Sequence, residues 1–371
     1  MSAVLLEEFG AADPRGESWR YSRTALRALA QQEFAGASAD ARPDAELFAR
    51  FDWPQTRGRR IVFVNGAHAP DLSDTSALAG FRLAHDGARA LLEFSESGTS
   101  AHVVHVSVPG ERPARWNADI ELRIGARDVT LVEQSVAAAG VESLGSPSIA
   151  LKIADGASAA VVRLSDLTEN ASLYRRERIS VGVDGALAIT DAIFGGRLQR
   201  HDMAVALGER ARFSQRGVFA LRGRQHGDVH LDIRHAARDA ASDVVWRGVA
   251  DQRARGILHG AITVEAGADG ADARLETKNL LLSQHAEIDA QPVLEIHADE
   301  VKASHGATVG QLDERALFYL RSRGLPAPLA RSLLIAGFCR EVFAGVADAD
   351  LRARLDAALD ARLPQTEAGR A

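Results

Sequence analysis

Between about residues 100 and 302 the chain is written in short alternating segments broken by glycine. No other feature limits the fold as tightly. His102-Val103-Val104-His105-Val106, Val129-Thr130-Leu131-Val132, Ile149-Ala150-Leu151-Lys152-Ile153, Ala186-Leu187-Ala188-Ile189 and Ala204-Val205-Ala206-Leu207 each have the length and composition of a β-strand. Glycine-bearing turns at Gly156, Gly185, Gly208 and Gly267 follow at intervals of 29, 23 and 59 residues, the last about two periods. Such strands, with turns at loosely constant spacing, build a sandwich, a barrel or a solenoid. Aromatic residues make up only 5% of the chain, and Ala, Val and Leu dominate. A stack of thin coils filled by small and branched side chains tolerates that composition well.

Both flanks have helical spacing. Residues 1–52 read as helix, first through Ser22 to Ala30 and then from Pro43 to Phe51. Arg60 to Gly66 reads as a strand running into a hairpin-type turn. At the other end, Asp313 is an N-cap for a helix from Glu314 to Arg323, with Gly324 as its stop. Pro326 opens a second helix carrying Leu329, Leu333, Ile335 and Phe338, and Ala347 to Leu363 forms a third with Leu351, Leu355 and Leu359 at i, i+4, i+8. The tail after Pro364 is expected to fray. The predicted division is an N-terminal helical region (1–58), a strand-rich region (59–312, its β-helix core from about 100) and a C-terminal helical domain (313–371). Leu333, Leu334, Ile335 and Phe338 are expected to form a separate apolar cluster in the last of these.

At 371 residues, the chain is long enough for one large core or two to three domains. A net charge of −6 and a pI near 6.1 argue against nucleic acid as the main partner. A single cysteine, Cys339, can form no internal disulfide and cannot hold a four-cysteine cluster alone. In its helix, beside Phe338 and Val342, it reads as a small buried hydrophobe. No signal peptide is visible and no run approaches the roughly 18 to 20 apolar residues of a membrane span, so no membrane association and a cytoplasmic location are expected. There is no Gly-Lys phosphate loop, no Gly-x-Gly-x-x-Gly, no His-Glu-x-x-His and no Gly-x-Ser-x-Gly, which counts against ATPase, dinucleotide-enzyme, zincin and esterase readings.

Two histidine-bearing segments are candidates for metal chemistry. Ser304-His305-Gly306-Ala307-Thr308 reads as a polar, glycine-bearing turn where the last strand hands over to the C-terminal helices. A neutral imidazole there is a good iron ligand and can complete a site shared with another subunit. On residue chemistry alone, His305 reads more simply as a turn histidine bonded to backbone. His226-x-Asp228-x-His230 is sharper in isolation, since i, i+2 and i+4 share one face of a strand. Same-face residues lie about 7 Å apart, however, so three ligands on one ion would be strained, and a polar ladder is the simpler reading. His235, an odd number of residues on, would face oppositely. Trp19, Trp53, Trp116 and Trp246 read as core or interface residues.

The stretch from Leu280 to Gln311 carries a resemblance. Leu280-Leu281-Leu282-Ser283, Ala286 to Ile296, Ser304-His305-Gly306-Ala307-Thr308-Val309-Gly310-Gln311, Leu317 to Gly324 and Leu334 to Phe338 are similar to the C-terminal signature of the SufB/SufD family of iron–sulfur cluster assembly proteins, and within it to the SufD branch. Upstream, Gly223-Arg224-Gln225-His226 with Asp228, His230 and His235 fits, as do Arg247-Gly248-Val249, Arg255-Gly256 and Trp19-Arg20-Tyr21-Ser22. Residues 80–200 match only weakly, so roughly the last 170 residues carry the resemblance. Two departures stand out. Ala303 occupies a place where SufD proteins often have cysteine, and Asp269-Gly270-Ala271-Asp272-Ala273 replaces a Gln-Lys-Thr-Asp-Ala run.

The resemblance implies a mainly β chain, a right-handed parallel β-helix (β-solenoid) flanked by N-terminal and C-terminal helices. It implies a non-catalytic subunit of the SUF assembly complex, with a transient iron–sulfur cluster shared with SufB and none held tightly by this chain alone. SufB would pair with the edge of the β-helix near Leu294, Ile296 and Val301 and set a thiolate beside His305. The ATPase SufC would dock on the C-terminal helices around Leu333, Leu334 and Phe338, up to Phe343. A homodimer in isolation is also plausible on this reading. Readings from other classes are a β-helix enzyme acting on acidic polysaccharide, for which no carboxylate pair stands out, and a SufB-like scaffold, which the lone cysteine argues against.

Overall fold

The computed structural model describes residues 19–87 and 89–363. Expectations for residues 1–18 and for the tail from Pro364 lie outside the described residues. From Arg89 onward the chain alternates between two sheets, so that successive strands belong to opposite walls of a parallel β-solenoid of about eight turns. One wall ends at strand Glu287–Ile296, the other at Lys302–Gly310. Every strand read from the sequence between residues 100 and 302 lies inside a longer one; Val129–Val132, for example, opens Val129–Ala137. Ala186 pairs with Arg212, 26 residues on, and Arg255 with Glu287, 32 residues on. The parallel pairing reaches back to Arg60–Val64, which lies beside His102–Val106. That first strand ends in the expected tight turn, with Asn65 at φ 50° and Gly66 at φ 82°.

Because partners in a parallel ladder share a face, each inward position stacks on the next coil's inward position. Leu131, Val161, Ile189 and, further along, Val244 and Leu275 fill the lumen with branched side chains. Gly217 is one exception that shows how tightly these coils stack. A Cβ there would lie 2.3 Å from the Trp246 ring, so glycine makes room for the largest side chain in the core.

The lumen also holds charge. Glu133 and Arg163 occupy partnered inward positions on one wall, Arg175 and Glu177 face them from the other, and all four are buried. Arg175 grips Glu133 through two bonds of 2.7 Å, Arg163 Nη2 donates to Glu177 at 2.5 Å, and His105 Nε2 lies 3.0 Å from Glu133. Burial alone would raise the Glu133 pKa, but Arg175, His105 and Arg163 outweigh it and hold the carboxyl well below the usual carboxylate range.

Helix α1 (Arg23–Ala30) packs Leu26 and Leu29 with Trp19 against Leu144, Tyr174 and Leu198 on the outside of one wall. Helix α2 (Ala45–Ala49), capped by the Asp44 side chain, closes the outside of the first coils on the other wall. At the C-terminus, α3 (Glu314–Ser322) starts at the Asp313 cap and stops at Gly324, φ 91°; α4 (Ala327–Arg340) and α5 (Ala349–Asp360) follow. The expected separate cluster is not what forms. Ile335, Cys339 and Phe343 share one core with Val162, Phe194 and Val218 of the solenoid wall, while Leu333 stays outside it, 46% exposed. A solenoid wall with Phe194 and Val218 on its outer face needs a second layer, and the helices supply it. Cys339 is fully buried, and burial pushes its thiol up to about 12. No helix among the described residues is long and apolar enough to cross a membrane.

Two stability predictions follow from the buried polar groups. Glu133→Ala leaves Arg163 and Arg175 without their shared carboxylate, and should cost about 3–5 kcal/mol in urea unfolding; a loss below about 1 kcal/mol would contradict the ion cluster. Burial, partly offset by Gln134, lowers the His102 pKa to about 3; burial, with Arg175 and Arg163 adding to it, lowers His201 to about 3. Both imidazoles are neutral when folded and take up protons on unfolding. Their contribution is therefore intact above about pH 6.5 and is lost as pH falls toward 3, by at most about 1.4 kcal/mol per pH unit each. The urea midpoint at pH 5 should lie below that at pH 7.5; an equal or higher midpoint contradicts this.

Candidate functional site

His226, Asp228 and His230 do share one face of strand His226–His235, the outer one, and all three engage other residues. Trp19-Arg20-Tyr21-Ser22, at the start of α1, docks on them. The Ser22 hydroxyl donates to Asp228 Oδ2, which leaves Nε2–H of His226 to donate to Ser22 Oγ at 2.6 Å. Arg200 Nη1 donates to Asp228 Oδ2 at 2.8 Å, and the Trp19 ring stacks 3.8 Å from its guanidinium carbon. His230 Nε2 lies 3.0 Å from Asp228 Oδ1, and its ring stacks on His259 of the next coil. Burial would raise the Asp228 pKa, but Arg200, His230 and Ser22 hold it well below the usual carboxylate range. Burial pushes His226 down to about 4.

This cluster joins a motif near residue 20 to one near residue 228. The serine bridges imidazole and carboxylate, whereas in a nucleophilic triad the imidazole is the bridge. Ser22 is 1% exposed and leaves no space for a substrate. The arrangement clamps the start of α1 to the solenoid wall. Among the described residues, no group of three or more His, Cys, Asp or Glu side chains is placed to hold a metal ion. His235 points inward, as expected, and bonds Ser242 at 2.8 Å.

His305 lies elsewhere, and not in a turn. Ser304 to Thr308 sits in the middle of the last strand, Lys302–Gly310, an edge strand bonded to Asp272–Leu281 on one side only. Gly306 does not turn the backbone; its φ is not left-handed, and a Cβ there would meet nothing. His305 pairs in register with Leu275, an inward core residue 2% exposed, so its position belongs to the lumen. With no coil beyond it, the imidazole is exposed and makes no side-chain hydrogen bond among the described residues. Ala303 shares that face and rests on the core.

Across the lumen, the other edge strand repeats the pattern. Ile288 and Leu294 pack partly on the core, and Ile296 is 43% exposed. Val309, in register with buried Asn279, is 45% exposed. Val301 lies half-buried in the corner between the two strands, packed on Val264 and Ala271. Among the described residues, the solenoid thus ends on an uncapped cross-section, its apolar interior open around one histidine.

Beyond it, the terminal helices expose Phe318, Tyr319, Leu329 and Leu333, while Leu334 and Phe338 are half-buried. Sequence reading passed over Phe318 and Tyr319. The available signal was adjacency: with Leu317 buried, two aromatic neighbours on a short helix cannot both turn inward.

Comparison with known proteins gives the family. The profile described as "SUF system FeS cluster assembly, SufBD core domain" matches residues 120–338, more than half of the chain. It begins well upstream of the C-terminal signature and ends inside α4. The chain is 24% identical to the iron–sulfur cluster assembly protein SufD of Escherichia coli K12, over 94% of this chain and 88% of that protein. It is 26% identical to an iron–sulfur cluster assembly SufBD family protein of Synechocystis, over 95% and 88%. It is 38% identical to SufD of Bacillus subtilis over 34% of this chain and 29% of that one. With its solenoid, its terminal helices and this match, the chain belongs to the SufB/SufD family of SUF-system iron–sulfur cluster assembly proteins, on the SufD side of it.

Proposed function

We propose that this chain is a non-catalytic subunit of the SUF complex, joined to SufB through its uncapped solenoid end and to the ATPase SufC through its C-terminal helices. The carrying observation is the open end. Two edge strands with unpaired backbone groups, with inward Leu294 half-buried and Ile296 and Val309 exposed beside them, form a surface that a monomer leaves unsatisfied. A second solenoid of like cross-section would cover both. The family resemblance supports SufB as that partner, and a second copy of this chain would take its place in isolation.

His305 would then lie at the junction. It supplies one nitrogen donor; Ala303 offers none and Cys339 is buried in the helical layer. The nascent cluster, as cargo, must therefore draw its other ligands from the partner. SufC would meet the apolar face of Phe318, Tyr319, Leu329 and Leu333, because Ile335, Val342 and Phe343 are already committed to the solenoid wall. ATP-driven movement of the helices could open the junction to iron and sulfide. A cytoplasmic location fits this role.

Co-expression with SufB and SufC tests the reading, the expected result being a complex of all three that yields more iron and sulfide than this chain alone. A chain that co-purifies with neither would sink it. Val309→Asp together with Leu294→Asp should weaken SufB binding at least about tenfold, with the circular dichroism spectrum unchanged; each places an unpaired charge in a desolvated interface. Undiminished binding would put the interface elsewhere. His305→Ala should change stability by about 0.5 kcal/mol or less, since its side chain is exposed. It should leave the complex and its ATPase activity intact and yield little cluster, whereas His226→Ala and His230→Ala should be mild in cluster yield. Normal cluster formation by His305→Ala would remove the imidazole from the site.

A further inference from the structure

Arg247 lies between the helical layer and the coil next to the open end. Its side chain is 2% exposed, yet its guanidinium is divided between two carboxylates of different elements. Nε and Nη2 donate to Glu341 Oε2 at 3.1 and 2.9 Å, and the same Nη2 donates to Glu276 Oε1 at 3.1 Å. Glu341 opens the short 3-10 turn that ends α4, where Val342 and Phe343 plug into the solenoid wall. Phe338 of α4 covers the guanidinium, 5.7 Å from ring centroid to Cζ. Glu276 belongs to strand Asp272–Leu281 and pairs in register with Gly306, the neighbour of His305. It is also held by Arg274 at 2.8 Å and by Lys278 at 3.1 Å, the latter on the oxygen that Arg247 uses. Arg362, by contrast, ties the helices to Asp166, several coils from the open end.

We infer that Arg247 is a positioning residue that transmits displacement of the terminal helices to the edge strand bearing His305. One buried cation is shared between two carboxylates. If the helices shift and Glu341 withdraws, a buried guanidinium cannot stay half-paired, and it turns toward Glu276. There it competes with Lys278 for Oε1, and the strand that pairs with Lys302–Gly310 must adjust. This inference rests on the proposed docking of SufC to the helices.

Amide hydrogen exchange over Lys302–Gly310 tests it. In the complex with SufB, at saturating SufC, a non-hydrolysable ATP analogue should change exchange in that strand for the wild type. The change should fall at least about threefold in Glu341→Gln and Arg247→Lys. A full wild-type response in both variants overturns the inference. Failure of SufC to bind the wild type refutes the docking reading instead, and the link is then read in the isolated chain. There Glu341→Gln should alter exchange over Lys302–Gly310 by about two- to tenfold, and should add nothing in an Arg247→Lys background. An equal effect in both backgrounds, or none in either, overturns it. Glu276→Gln, at a partly exposed position, replaces Arg247→Lys if the latter does not fold.

Discussion

A parallel solenoid satisfies each coil's backbone with the next coil, and this constraint shapes the rest of the molecule. Hydrogen bonding along the stack is complete only while another coil follows. Among the described residues none follows Glu287–Ile296 and Lys302–Gly310, so the solenoid ends on unpaired strand edges and an open apolar lumen. Natural sheet edges are normally blunted by charge, proline or a covering element. Here the helices that follow turn back onto the outer wall, where Phe343 and Ile335 meet Phe194 and Val218. The fold-back leaves the end uncovered by any described residue, and it brings the helices within reach of the last coils through Arg247.

The polar groups divide by the side of the wall they occupy. Inside, Glu133, Arg163, Arg175 and Glu177 neutralise one another across the lumen. Outside, Asp228, Arg200, Ser22 and His226 fasten the start of α1. Both groups are bound up in mutual contacts and serve to hold parts together. His305 differs from all of them in making no side-chain hydrogen bond among the described residues, at an inward position with no neighbouring coil on one side. That contrast, more than histidine chemistry, separates the candidate site from structural polarity.

Much of the fold was legible because it follows from local pattern. Alternation at His102–Val106 and Ile149–Ile153, the Asn65-Gly66 turn, the Asp313 cap and the Gly324 stop all report short-range physics. Less legible was anything set by which coil is last. Ser304-His305-Gly306 has turn chemistry, yet it is strand, because pairing with Asp272–Leu281 outweighs local preference. The Ser22–Asp228 bond spans 206 residues and leaves no local trace. Lumen charges such as Arg163 sit on a strand as surface charges would, and only the register with Glu133 reveals them as interior.

The most direct test of the central claim is hydrogen–deuterium exchange across residues 287–310, in the isolated chain at low concentration and in complex with SufB and SufC. If the open solenoid end is the partner interface, both edge strands should become protected on assembly, with the slowest exchange around His305. Assembly of the complex with these strands exchanging as fast as in the free chain would contradict the account.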